Sequence, residues 1–200
     1  MRILVLDIGG VVYRSWPDAA FHGRWAQRCG CDVATLAQRF WRGDDWGLAE
    51  LGLISADENI ARLAARLGIG VGLAREMVFE GWASQPDEAL AAFVGRLRAD
   101  GTKVAALTNN TSTEAQLLAR PELTRLFDLA ISSADAGLQK PDAAIYRHAE
   151  ARLAAAGSAL VFVDDVEANV DAARALGWRG VWFRSTDQGI GDIQAALAED

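Results

Sequence analysis

Short apolar runs alternate with amphipathic stretches along most of the chain. The runs fall at residues 3–6, 103–107, 129–132, 160–163 and 181–183, and helical patterns separate the last four. Apolar strands spaced by helices predict a parallel α/β sheet with helices on its faces. The clearest helix follows Pro86, where Leu90, Phe93, Val94 and Leu97 recur at i, i+3, i+4 and i+7, with Gly101 at a C-terminal stop. Further helices are expected over about 112–119, 142–156 and 166–176, the last stopped by Gly177. Between the first two strands lie roughly 95 residues, where a crossover needs about a dozen. Helical stretches at about 17–29, 33–40, 56–67 and 74–79, and no convincing strand, fill that gap. The expected architecture is therefore a Rossmann-like α/β core, 1–13 and 87–200, with a small helical cap inserted over 14–86.

Composition narrows the function classes. With 200 residues, 51% of them hydrophobic, the chain is long enough to bury a sizeable core and too apolar to be disordered. Twenty Lys and Arg against 27 Asp and Glu leave a net charge of −7, and no basic block offers a nucleic-acid or anionic-membrane footprint. Asp7 ends the first apolar run far short of a signal-peptide core or the ~20 residues that span a bilayer, so a soluble cytoplasmic protein is expected. Cys29 and Cys31, one residue apart, are read as buried or incidental thiols rather than a disulfide or zinc pair.

Three strands end in polar residues: Asp7 after the first, Thr108-Asn109-Asn110 after the second and Asp164-Asp165 after the fourth. In a parallel sheet these carboxyl ends open into one crevice. Facing carboxylates repel unless a cation lies between them, and a few oxygen ligands suit Mg²⁺. Gly9 and Gly10 let the backbone turn sharply and approach a ligand. The Thr108 hydroxyl and the N–H groups after it, read as a helix start, could hold an anion. Lys140, before a Pro141 read as the first helical residue, would set its ammonium near a positive helix end, a second anion contact. Singly, each residue has a plainer reading as a turn, a cap or a solvated side chain. Together they exceed what capping requires.

Four stretches, LVLDIGGVV (4–12), VAALTNN (104–110), LQKPDAAIY (138–146) and VFVDDVEANVDAARALG (161–177), resemble in order and spacing the motifs of the haloacid dehalogenase-like hydrolase superfamily, and LAELGLISADE (48–58) resembles its cap segment. The resemblance covers essentially the whole chain. It implies a Mg²⁺-dependent phosphatase of a small phosphorylated metabolite, with Asp7 the nucleophile that forms an aspartyl phosphate. It further implies that Asp7, the Gly9 carbonyl and Asp165, with Asp164 as a further ligand or support, hold the metal. Thr108 and the Asn109 N–H, beside the Gly9-Gly10 backbone, would bind the phosphoryl group, Lys140 would neutralise its charge, and Asn169 would orient Asp165 or a metal-bound water.

One position departs from the pattern. Phosphatases of this family carry a second aspartate two residues after the nucleophile, as general acid and base, and here that residue is Gly9. A good leaving group, or Asp18, His22, Asp44, Asp45 or Tyr13, could compensate, although the surface reading of each is the plainer one. Trp16, Trp25, Trp41, Trp46 and Trp82 are read as helix packing with a possible role as aromatic walls, and residues 41–46 as a substrate-reading loop. Two alternatives stand beside the phosphatase. A 2-haloacid dehalogenase would use the same aspartate without metal, against the Asp164-Asp165 pair; a weakly active phosphate- and metal-binding regulator would rest on Gly9 alone. Substrate identity and oligomeric state are not legible.

Overall fold

A computed structural model describes residues 2–14, 19–41, 44–82 and 86–198, without the side chains of Trp41 and Trp82. Five strands, β1 (Ile3–Leu6), β2 (Lys103–Thr108), β3 (Leu129–Ser132), β4 (Leu160–Asp164) and β5 (Arg179–Trp182), form one all-parallel sheet in the order β3-β2-β1-β4-β5. Its strands are the expected ones, with β2 and β4 one residue longer and β5 starting two residues earlier and ending one earlier. Arg179 and Gly180 are not apolar, so pairing with β4 rather than hydropathy extends the strand to them. Gly180 suits that place because a Cβ there would stand 2.7 Å from Val170 Cγ1 and 2.8 Å from Arg174 Cγ on the helix above.

Side-chain alternation on β1 divides the core into two layers. Leu4 and Leu6 pack with Leu90, Phe93 and Val94 of α6 (Glu88–Ala99) and with Ile193 of the C-terminal helix (Thr186–Ala198). Ile3 and Val5 face Ile145 and Tyr146 of the helix Ala143–Leu153 and Ala173 of the helix Glu167–Ala175. Local chemistry starts and stops these helices. Asp87 accepts a hydrogen bond from Leu90 N at 2.9 Å at the start of α6, Arg96 and Arg98 occupy its last turn, and Gly101 follows at φ 88°. The helix after Lys140 does not begin at Pro141: Asp142 caps it, accepting from Ala144 N at 2.9 Å, so Lys140 and Pro141 lie in the preceding turn. The C-terminal helix has no clear apolar period in the sequence because Gly189 and Gly191 interrupt it. A Cβ on Gly189 would stand 2.2 Å from the Phe183 ring, which shows how closely this helix lies on the end of the sheet.

Between β1 and α6, helices α1 (Ala19–Arg28), α2 (Val33–Trp41), α3 (Asp45–Glu50), α4 (Ala56–Leu67) and α5 (Val71–Trp82) gather around an apolar cluster of their own that includes Phe21, Trp25, Leu36, Phe40, Leu63 and Met77. Ser55 caps α4 through Glu58 N and Gly68 closes it at φ 70°. Trp25 is 1% exposed in that cluster, and Trp46 packs on Phe40 and donates from Nε1 to its carbonyl at 2.8 Å, so both tryptophans serve packing. Trp16 lies outside the described residues. Within the expected loop over 41–46, Trp41 ends α2 and Asp45 and Trp46 open α3, with residues 42–43 outside the described residues. Arg62 and Arg66 hold the Asp45 carboxylate at the positive end of α3.

Candidate active site

Register brings the polar strand ends together. Leu6 pairs with Ala106 on one side and Val163 on the other, so Asp7 emerges at the carboxyl edge of the central strand, beside the end of β4. Asp7 N donates to Val163 O at 2.9 Å, and Asp7 Oδ1 accepts from Ile8 N at 2.7 Å. The chain then closes a tight turn, with Tyr13 N on Ile8 O and Gly10 N on Tyr13 O, both at 2.9 Å. Gly10 sits at φ 72°, and a Cβ on it would lie 2.0 Å from Asp165 Oδ2. Glycine there permits both the turn and the approach of the Asp165 carboxylate.

The centre of the site is a buried ammonium between two carboxylates. Lys140 Nζ lies 3.0 Å from Asp7 Oδ1 and 2.6 Å from Asp164 Oδ2, with 1% of its side chain exposed. Asp164 is wholly buried, and its oxygens also accept from Val166 N at 2.8 Å and from Asn169 Nδ2 at 3.1 Å to each. Two expectations are corrected here. Asn169 orients Asp164 rather than Asp165, because Tyr146 Oη donates to the Asn169 carbonyl at 2.8 Å and helps anchor that turn of helix over Asp164. The Lys140 ammonium meets two carboxylates rather than a helix end, because the next helix starts three residues later.

Electrostatics describes what this cluster lacks. Burial, with a smaller push from Asp164, raises the Asp7 carboxyl to about 6 even against the pull of Lys140. Asp165 is raised as well, by burial and then by Asp164. Burial disfavours the Lys140 ammonium, but the two carboxylates outweigh it and raise its pKa, so the lysine stays charged. One fixed cation faces three acids, and carboxylate oxygens of Asp7, Asp164 and Asp165 all lie within 4.8 Å of one another. This all-oxygen donor set, with its unrelieved repulsion, fits a hard divalent cation.

At the end of β2, Thr108 is buried and Asn109 turns toward Lys140 rather than into a helix. Asn109 Nδ2 donates to the Lys140 carbonyl at 3.0 Å, and Lys140 N donates to Asn109 Oδ1 at 2.9 Å. The N–H groups after Thr108 do not start a helix, contrary to expectation. Thr113 caps the next helix (Glu114–Leu118), leaving 109–112 as a loop in which Asn110 N donates to Ser133 Oγ at 2.9 Å. Ser132 and Ser133, both buried, were not singled out from the sequence. Their signal was a Ser-Ser pair closing an apolar run, the same pattern that marked the other strand ends.

Of the residues expected to replace the missing acid, Asp45 and Tyr13 are engaged elsewhere. Asp45 is held by Arg62 and Arg66, and Asp44 is exposed. Tyr13 Oη donates to Glu122 at 3.3 Å, and burial pushes its hydroxyl up to about 12. His22 packs edge-on against Phe21 with ring centroids 5.5 Å apart, and Asp18 lies outside the described residues.

Residues 1–177 match the family model of the haloacid dehalogenase-like hydrolases. The chain belongs to that family. A sesquiterpene phosphatase of Aspergillus oryzae (strain ATCC 42149 / RIB 40) is 28% identical over 182 residues, covering 90% of this chain and 88% of the relative. Drimenol cyclase of Aspergillus calidoustus is 30% identical over 193 residues, 94% of this chain, but the chain spans 35% of that relative's length. Among solved structures, a HAD family enzyme of Bacteroides thetaiotaomicron in complex with magnesium and inorganic phosphate superposes with a TM-score of 0.75 at 18% identity, covering 93% of this chain and 96% of the other. In this haloacid dehalogenase-like hydrolase, the four motif stretches at 4–12, 104–110, 138–146 and 161–177 meet at one edge of the sheet through Asp7, Asn109, Lys140 and Asp164.

Proposed function

We propose that the chain is a Mg²⁺-dependent phosphatase of a small phosphorylated metabolite, working through an aspartyl phosphate on Asp7. The observation that carries this reading is the buried Lys140 ammonium 3.0 Å from Asp7 and 2.6 Å from Asp164, beside a third carboxylate. The phosphatase relative matched over 88% of its length supports it. Asp7, the Gly9 carbonyl and Asp165, with Asp164 behind them, would hold Mg²⁺, which supplies positive charge to the phosphoryl oxygens.

The chain's own residues do the rest. Ile8 N–H and Lys140 both engage Asp7 Oδ1, so the carboxylate is oriented with Oδ2 as the oxygen that attacks phosphorus. Lys140 steadies the negative charge on the nucleophile and on the transferring group, while Thr108 and the backbone at Asn109 bind the phosphoryl oxygens. Asp164 and Asn169 fix the lysine, and Asn109 fixes its backbone. Water then hydrolyses the aspartyl phosphate and frees Asp7.

The test is hydrolysis of a panel of phosphorylated metabolites with and without Mg²⁺, comparing wild type with Asp7→Asn. Activity that needs both metal and Asp7 supports the reading. Hydrolysis that survives Asp7→Asn overturns it, and inactivity across the panel with Mg²⁺ still bound turns it toward a phosphate-binding regulator.

A further inference from the structure

Cleaving a phosphate ester leaves an alkoxide unless an acid protonates the departing oxygen, and such help is worth about 10²–10⁴-fold. The core side of the site offers no free acid among the described residues. Asp164 is consumed by Lys140 and Asn169, Asp7 is the attacking group, Asp165 belongs to the carboxylate trio, and Gly9 has no side chain.

The cap side carries Glu50, the last residue of α3. The turn that follows it is seated on the carboxyl edge of the sheet. Gly52 adopts φ 67°, and a Cβ on it would stand 2.2 Å from the Ala134 carbonyl just beyond β3, while the Leu51 carbonyl lies 4.0 Å from where a Cβ on Gly137 would be. Glu50, the residue just before this turn, thereby sits at the seam where the cap meets the segment that runs into Lys140. It is partly buried, and no described residue forms a hydrogen bond or ion pair with its carboxylate. Asp45 on the same helix, by contrast, is gripped by two arginines. Burial raises the Glu50 carboxyl, and the charge acting on it is the Lys140 ammonium, which pulls the other way.

We propose that Glu50 is the proton donor and acceptor of the reaction, a role delivered by the cap where Gly9 leaves none. The inference rests on the phosphatase reading above. As Asp7 Oδ2 bonds to phosphorus, the ester P–O bond breaks and its electron pair leaves with the bridging oxygen, which takes the Glu50 proton and departs as an alcohol. Water then attacks the aspartyl phosphate and gives a proton to the Glu50 carboxylate. The Asp7–phosphorus bond breaks, returning its pair to Asp7, and inorganic phosphate departs with Glu50 protonated again.

The test compares wild type, Glu50→Gln, Glu50→Asp and Asp7→Asn, with Mg²⁺, on an alkyl phosphate and on p-nitrophenyl phosphate, whose leaving group needs no proton. Glu50→Gln is expected to lose about 10²-fold or more on the alkyl ester. On the aryl ester it should release p-nitrophenol in a burst and accumulate chain phosphorylated at Asp7, visible by intact mass, because the second step lacks its base. Glu50→Asp should recover part of the alkyl activity, and it keeps the question answerable should the glutamine variant not fold. Wild-type rates, or equal losses on both esters with no burst, overturn the role and assign Glu50 to seating the turn. Hydrolysis that survives Asp7→Asn overturns the phosphatase reading itself, a result separate from any Glu50 effect.

Discussion

Asn109 and Lys140 are joined by a reciprocal pair of hydrogen bonds, the asparagine amide donating to the lysine carbonyl at 3.0 Å and accepting from the lysine N–H at 2.9 Å. Through this pair the end of β2 fixes the backbone from which the buried ammonium reaches Asp7. Asn109→Ala is expected to cost about 1–3 kcal/mol in urea unfolding, two hydrogen bonds at ~0.5–1.5 each. Activity should fall through kcat more than KM, since the substitution misplaces a charge that acts on the transferring group. An unchanged kcat would show that Lys140 is held without Asn109.

Lys140→Met should destabilise the fold more strongly. Removing the ammonium leaves the 0%-exposed Asp164 side chain beside Asp7 with no cation between them, and breaking a buried pair typically costs about 3–5 kcal/mol. Denaturant unfolding at neutral pH measures it. Added Mg²⁺ should offset part of the loss, and an undiminished midpoint would mean that the neighbouring dipoles alone satisfy Asp164.

Gly10→Ala tests the approach of Asp165. The new methyl group would stand 2.0 Å from Asp165 Oδ2 in a backbone held at φ 72°, so the turn or the carboxylate must shift. Left-handed strain in a non-glycine residue costs roughly 1–3 kcal/mol. Calorimetric Mg²⁺ binding should weaken as well as the melting temperature falling. A lower melting temperature with intact Mg²⁺ affinity would separate Asp165 from the metal site.

Asp87 carries a pH-dependent share of stability. Burial works against its ionised form, but Thr186 Oγ1 at 2.5 Å, Leu90 N at 2.9 Å and the Arg14 charge outweigh that and lower its carboxyl below 3.8. A lowered folded pKa means stability fully present above 3.8 and lost as pH falls through the folded value. Asp87→Asn should therefore melt below wild type at pH 7, and the gap should close on acidification beneath pH 3.8. A gap that is constant with pH would assign the effect to capping geometry alone.

Much of the fold was legible because its signals are local. The runs at 3–6 and 129–132 became strands over those same residues, since unbroken apolar stretches can only be buried between helical layers. β5 and the C-terminal helix were less legible, because Gly180 and Gly189 obey close packing against Val170, Arg174 and Phe183, and Arg179 obeys strand pairing with Val161, rather than any hydrophobic period. In the site, Asp7, Lys140, Asp164 and Asp165 stood out as polar residues closing apolar strands or next to a helix start. Glu50 did not, because it lies between the helical stretches read at 33–40 and 56–67 and closes no apolar strand.

The amino-acid sequence by itself determined the strands in order and most of the longer helices, the family and the polar ends of the strands, because periodicity, caps and strand-end chemistry act over a few residues. Only the tertiary structure decided that Lys140 pairs with both Asp7 and Asp164, that Asn169 serves Asp164, that Asn109 serves Lys140, and that the turn after Glu50 seats on the segment leading into Lys140. Those relations join residues brought together by parallel register and by the seating of Gly52 on Ala134. A shift of one residue in either would part them while leaving every local pattern in the chain unchanged.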